Sequence, residues 1–99
     1  MRIVLSEAAE ADLSGIYAYY AERSGPAADR VLGTILHAIN GLGLFPLMGK
    51  PGEVPATRER IVTQYPYRIV YHIDEVHEVI EVWRVLHAAR GWPQPASSE

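Results

Sequence analysis

Ninety-nine residues, 48% of them apolar and 21% charged, describe one soluble globular domain with a single modest core. The lack of cysteine excludes a disulfide framework and a thiolate metal site, and no apolar run approaches the roughly 20 residues that span a bilayer. A net charge of −3, with eight arginines against the single Lys50, disfavours a protein that holds nucleic acid by neutralising phosphates.

The N-terminus has no small-residue cleavage site after its short apolar run, so the chain is expected in the cytoplasm. Arg2–Leu5 reads as a short strand. Ser6 follows as an N-cap, with Glu7 and Glu10 in the first turn, where the helix dipole favours negative charge. Ala9, Leu13, Ile16, Tyr17 and Tyr20 then fall on one helical stripe, and this helix is predicted to end near Ser24-Gly25. Pro26 suits the first position of a second helix. Its apolar stripe is Ala28, Val31, Leu32, Ile35, Ile39 and Leu42, with Asp29, Arg30, His37 and Asn40 outward. Two amphipathic helices joined by a tight turn make an antiparallel hairpin.

Gly43 to Ala56 has clustered Gly and Pro and no sustained period, and reads as an irregular connection in which Leu44, Phe45 and Leu47 pack down. From Thr57 to Pro93 the pattern changes to period two and is rich in Val, Ile, Tyr and Trp. An extended run precedes a turn at Tyr65-Pro66. A strand follows at Tyr67–Ile73, then a turn at Asp74–His77 and a strand at Glu78–His87. The short connection requires the last two strands to pair antiparallel. Residues 1–93 form the single domain, and 94–99 a polar tail.

The order is β-α-α-β-β-β. The lone first strand must join the later sheet, since otherwise its backbone stays unpaired. The expected fold is an α+β two-layer sandwich: an antiparallel-rich sheet with the helical hairpin on one face and the other face open as a site. On the first strand of the final hairpin, Tyr67, Ile69, Tyr71 and Ile73 are the more plausible core set, opposite Arg68, Val70 and His72. On its second strand both alternating sets are half apolar, and parity alone does not choose between them.

His87, Arg90 and Trp92 close the last strand. An imidazole, a guanidinium and an indole so near one another can serve acid–base chemistry, phosphate clamping and base stacking. The plainer reading is a histidine bonding the strand end, a solvated arginine and a tryptophan closing the core edge. His72, His77, His87 and Glu78 lack metal-ligand spacing, so no metal is expected. No Ser/His/Asp triad is supported, because Ser6, Ser14 and Ser24 are explained by caps and helix surface. No Gly-rich phosphate loop is present, and no cofactor is expected.

Four patches, in this order, resemble the RelE/ParE toxin superfamily, the toxin halves of type II toxin–antitoxin (plasmid stabilization) modules. They are Ala11-Asp12-Leu13 with Ile16 and Tyr20; Leu42 with Pro46 and Gly49; Arg58-Glu59 followed by Tyr67-Arg68-Ile69-Val70-Tyr71; and Val85-Leu86-His87 with Arg90 and Trp92. The resemblance implies a small intracellular growth inhibitor, held silent in a hetero-oligomer with a cognate antitoxin. RelE-like members cut messenger RNA on the ribosome, using lysines and arginines on the open sheet face and a tyrosine or histidine near the C-terminus. Arg68 falls where one such arginine stands. Ala88 occupies the place of another, with Arg90 two residues on, and Trp92 stands where a tyrosine would. Arg58, Glu59, Arg60 and Ile61 replace the lysines expected before the strand. ParE-like members inhibit DNA gyrase, and the Val-Leu-His-x-x-Arg ending resembles that branch. The resemblance implies a ParE-like toxin first; a RelE-like endonuclease and an inactive antitoxin-binding remnant are the alternatives, so enzymatic activity stays open. The candidate residues it implies are His87, Arg68 and Arg90 for catalysis, Arg58, Arg60, Arg84 and Trp92 for the target, and Tyr19 and Tyr20 for the antitoxin.

Overall fold

A computed structural model describes residues 1–89. The expected sites Arg90 and Trp92, and the tail 94–99, lie outside the described residues. The elements are β1 (Arg2–Leu5), α1 (Glu7–Ala21), α2 (Gly25–Leu44), a 3₁₀ turn (Pro46–Met48), β2 (Lys50–Pro51), β3 (Arg58–Val62), β4 (Tyr67–Asp74) and β5 (Val79–His87). They make an α+β fold with two helices on a five-stranded sheet of order β1-β5-β4-β3-β2. β1 pairs parallel with β5, and every other pairing is antiparallel.

Both helices start on serine caps. Ser6 Oγ accepts the Ala9 N–H at 2.9 Å, and Ser24 Oγ accepts the Ala27 N–H at 3.2 Å. α1 stops earlier than expected because the Arg23 and Ser24 N–H groups both turn back to the Tyr20 carbonyl, at 3.0 and 2.9 Å. α2 begins at Gly25, with Pro26 in its first turn. The predicted stripes bury Ala9, Leu13 and Ile16 from α1 and Val31, Ile35, Ile39 and Leu42 from α2 against Ile69, Tyr71, Ile80 and Val82 of the sheet.

The parity problem on β5 is resolved by a bulge. Val70 lies opposite Arg84, whereas the next residue, Tyr71, lies opposite Val82, so Trp83 is an extra residue. Ile80 and Val82 face the helices before it and Val85 does so after it. Neither alternating set is the core set over the whole strand.

β1 ends at Leu5, opposite Val82, and leaves the rest of β5 without a neighbour on that side. Side chains from α1 take its place. The Ser6 hydroxyl donates to the Trp83 carbonyl at 2.8 Å. Asp12 Oδ2 accepts the Val85 N–H at 2.9 Å and the Arg84 Nε–H at 2.8 Å, and Asp12 Oδ1 accepts from Arg84 Nη2 at 2.9 Å. This carboxylate holds the Arg84 guanidinium still more firmly in its charged form, against the cost of partial burial.

Three expectations are corrected. Gly43 to Ala56 is not irregular throughout: α2 runs on to Leu44, a 3₁₀ turn follows, and Lys50-Pro51 pairs with Arg58-Glu59 as a sheet edge. Leu44, Phe45 and Leu47 do not pack down but are 78%, 60% and 71% exposed. The second sheet face is not bare at its centre either, since Glu59, Arg68, Val70 and Leu86 are all buried.

Asp12→Ala would leave the Val85 N–H unpaired and the Arg84 charge uncompensated in a half-buried place. The expected loss is about 2–4 kcal/mol of stability by urea denaturation. Asp12→Asn keeps an acceptor and should lose less.

Candidate functional site

His87 ends β5 opposite Tyr67, on the face covered by the helices, and the two rings meet edge-on with centroids 5.8 Å apart. Burial and a hydrogen bond with Tyr20 push the Tyr67 hydroxyl far above its ordinary titration range. Tyr20 in turn meets Tyr19 edge-on at 5.2 Å, and the Arg23 guanidinium sits 4.3 Å over the Tyr19 ring. Tyr19 is exposed, whereas Tyr20 packs partly into the core. One aromatic chain thus joins the last turn of α1, where antitoxin contact was expected, to His87, where catalysis was expected.

The His87 ring is exposed, and its Nδ1 accepts the Ala89 N–H at 3.2 Å. That bond assigns the proton of the neutral ring to Nε2. In that tautomer Nε2–H is a donor, and uptake of a proton at Nδ1 requires release of the Ala89 N–H.

Arg68 does not converge with His87, contrary to expectation. It lies opposite Leu86, on the other face of the sheet from the Tyr67–His87 pair, because neighbouring residues of a strand point to opposite sides. There its Nη1 donates to Glu59 Oε1 at 2.6 Å, with side chains only 9% and 8% exposed. Arg84 is held by Asp12 at the edge of β5. Arg58 donates to the Leu47 and Gly49 carbonyls. Of these arginines and Arg60, only Arg60 has no acceptor among the described residues; it stands opposite Ile69 with its Nε buried.

Two surfaces escaped the sequence reading. Leu13, Ser14, Tyr17, Leu32 and Leu36 line a groove of about 430 Å³ along the helical hairpin. The Tyr17 hydroxyl also donates across the hairpin to Asp29 Oδ1 at 3.0 Å. The other surface is an apolar ridge of Leu44, Phe45, Leu47 and Met48 on the 3₁₀ turn, pinned from beneath by polar bonds. The Tyr71 hydroxyl accepts the Gly49 N–H at 3.0 Å and donates to the Pro46 carbonyl at 2.6 Å. Gly49 is required there, because a Cβ would stand 2.7 Å from both the Glu59 carbonyl oxygen and that hydroxyl. Clustered apolar residues between Gly and Pro were the only sequence signal, and they do not reveal which way the side chains turn. Tyr71→Phe should cost about 1–3 kcal/mol by leaving two backbone groups unpaired, and should speed amide exchange at Gly49.

Among the described residues no cluster of His, Asp or Glu has the arrangement of a metal site, and no helix is long and apolar enough to cross a membrane.

A family described as the ParE toxin of type II toxin-antitoxin system, parDE, matches residues 3–92. A curated protein of Sinorhizobium fredii, the toxin candidate Y4kP, is 38% identical over 76 residues, which is 76% of each chain. Among solved structures, a chain of the chromosomal ParDE system from P. aeruginosa superposes with a TM-score of 0.77 at 24% identity, covering 88% of this chain and 95% of that one. A chain of the RelBE2 toxin–antitoxin complex from Mycobacterium tuberculosis gives 0.65 at 23% identity, over 87% of this chain and 95% of that one. One from the E. coli RelBE complex gives 0.58 at 15%, over 90% and 98%. These likenesses establish the shared fold, and the match over residues 3–92 establishes the lineage: the chain belongs to the ParE toxin family of type II toxin–antitoxin systems.

Proposed function

We propose that this toxin arrests growth by inhibiting DNA gyrase, and that it acts in the cytoplasm until a cognate antitoxin silences it. The observation that carries the choice of target is the engagement of its cations. Cutting RNA by acid–base and electrostatic catalysis needs charged groups aimed at the phosphate and a group able to take a proton. Here Arg68 is bonded to Glu59, Arg84 to Asp12 and Arg58 to loop carbonyls, which leaves only Arg60 of these four without an acceptor among the described residues, and His87 lies on the opposite sheet face from Arg68. A net charge of −3 also opposes docking on ribosomal RNA.

A partner antitoxin is supported by the solved relatives, which come from ParDE and RelBE toxin–antitoxin systems. The hairpin groove beside Tyr17 suits an amphipathic helix, and exposed Tyr19 is a further contact candidate. Co-expression with the neighbouring gene product should give one co-eluting species on size exclusion; separate elution at micromolar concentration would sink this part.

The target is read by a supercoiling assay with purified gyrase, beside primer extension on transcripts after induction. Inhibited supercoiling with uncut transcripts is expected. Specific cuts would assign the endonuclease instead, and failure of both assays would mark an inactive remnant. In a binding inhibitor, His87→Ala should cost about 1–2 kcal/mol of affinity, roughly tenfold. A loss of about 10²–10⁴-fold in rate with the fold intact would mean that His87 is a general acid or base.

A further inference from the structure

The groove on the helical hairpin carries a charge pattern as well as an apolar floor. Leu13, Ser14 and Tyr17 of α1 and Leu32 and Leu36 of α2 line it, and none of these is basic. Glu10 lies three and four residues before Leu13 and Ser14, so it continues their stripe of α1 beyond one end of the groove. At the other end the Tyr17 hydroxyl reaches Asp29 Oδ1 at 3.0 Å, and Oδ2 has no partner among the described residues. Both carboxylates are exposed, and among the described residues neither forms an ion pair. This sets them apart from Asp12, Glu59 and Asp74, which are all paired within the fold. The helix dipole accounts for an acid at Glu10, in the first turn of α1, but not for Asp29, which lies past the first turn of α2. Arg30 is turned about 100° further round α2 than Asp29, and it lines the cleft shared with Gln64 and Tyr65. Arg23 is held over the Tyr19 ring.

We propose that the helix taken by this groove is basic, with two Lys or Arg residues seven positions apart and apolar residues three and four positions after the first. This rests on the reading of the groove as the antitoxin's site and adds the chemistry of the segment that fills it. Positions i and i+7 of a helix return to within about 20° of one face and lie about 10 Å apart. Glu10 and Tyr17 are separated by the same seven residues, so the two acidic ends of the groove are spaced alike. The apolar pair at i+3 and i+4 then falls between them, over Leu13, Leu32 and Leu36. That pair supplies most of the affinity. The basic residues meet Glu10 and the Asp29 Oδ2 at the rim, where exposed pairs fix register and speed encounter more than they tighten binding. A net charge of −3 draws in such a segment and repels an acidic one. The same two carboxylates disfavour a nucleic-acid strand or an anionic membrane surface.

The test is fluorescence anisotropy at low salt on the full chain. One labelled helical peptide bears Lys at i and i+7 and Leu at i+3 and i+4; a second bears Glu in place of both Lys. The lysine peptide should bind at least about tenfold more tightly, and lose that advantage as salt rises to about 0.5 M. Glu10→Gln and Asp29→Asn should each weaken it about threefold and the double variant about tenfold, while Glu75→Gln on the β4–β5 turn leaves it unchanged. Asp29→Asn keeps an acceptor for Tyr17, and all three side chains are exposed, so the variants are expected to fold. Equal affinity for the two peptides, no binding, an unchanged double variant, or an equal loss in Glu75→Gln would each overturn the proposal. The neighbouring gene product separates this failure from that of the antitoxin reading. Co-elution with an affinity that the double variant leaves unchanged sinks the basic helix alone. Separate elution sinks the antitoxin reading, and the two peptides still decide the chemistry of the groove.

Discussion

The structure depends on a carboxylate standing in for a missing strand. β1 is too short to cover β5, and the bulge at Trp83 turns the backbone where the cover ends. Asp12 supplies the acceptor that a neighbouring strand would have given to Val85, and its charge fixes Arg84 in the same step. Ser6 does related work at the start of α1, since one hydroxyl both caps the helix and bonds the Trp83 carbonyl. The first helix is thereby locked in position against the sheet edge by polar bonds, and the apolar stripe beneath it is placed on Ile80 and Val82. Packing alone is non-directional and would tolerate sliding of the helix; the bonds to β5 do not.

Much of this was legible in the residues. The stripe from Ala9 to Ile16 and the longer one along α2 are period-3.6 patterns with serine caps, and both became the buried helix faces. The hairpin turn between β4 and β5 was readable as well, and its Asp74 carboxylate accepts the His77 N–H at 3.1 Å. The bulge was not readable, because a single extra residue changes parity without changing composition. Nor was the ridge at Leu44 to Met48. Its orientation is set by a hydroxyl at Tyr71 and a guanidinium at Arg58, both distant in sequence. The sheet face expected to be open proved buried at Val70 and Leu86 because hairpin patterning reports on one face only.

The candidate site was legible in its residue types and less so in its grouping. Arginine is the residue one would choose for phosphate, yet the same fork geometry suits Glu59, Asp12 and backbone carbonyls, and sequence does not say which acceptor lies nearest. Arg68 and His87 sit in neighbouring strand positions yet face opposite sides, an outcome fixed by the register that pairs Tyr67 with His87. Conversely, the Tyr19-Tyr20 pair and His87 come from distant segments and were assigned separate roles, yet they are joined through Tyr67, whose ring meets His87 and whose hydroxyl faces Tyr20.

The parallel pairing of β1 with β5 ties the first strand of the chain to the last strand described. β5 lies between β1 and β4, so until it is added the sheet has a gap in its middle and the helices have no complete surface to cover. Contacts this far apart in sequence form late and make folding slow. On the ribosome, therefore, the helical hairpin emerges well before the strands that bury its apolar stripe. A nascent chain halted before Val79 lacks the strand that completes the core, so termination there yields no folded toxin and only a chain that includes β5 needs to be neutralised.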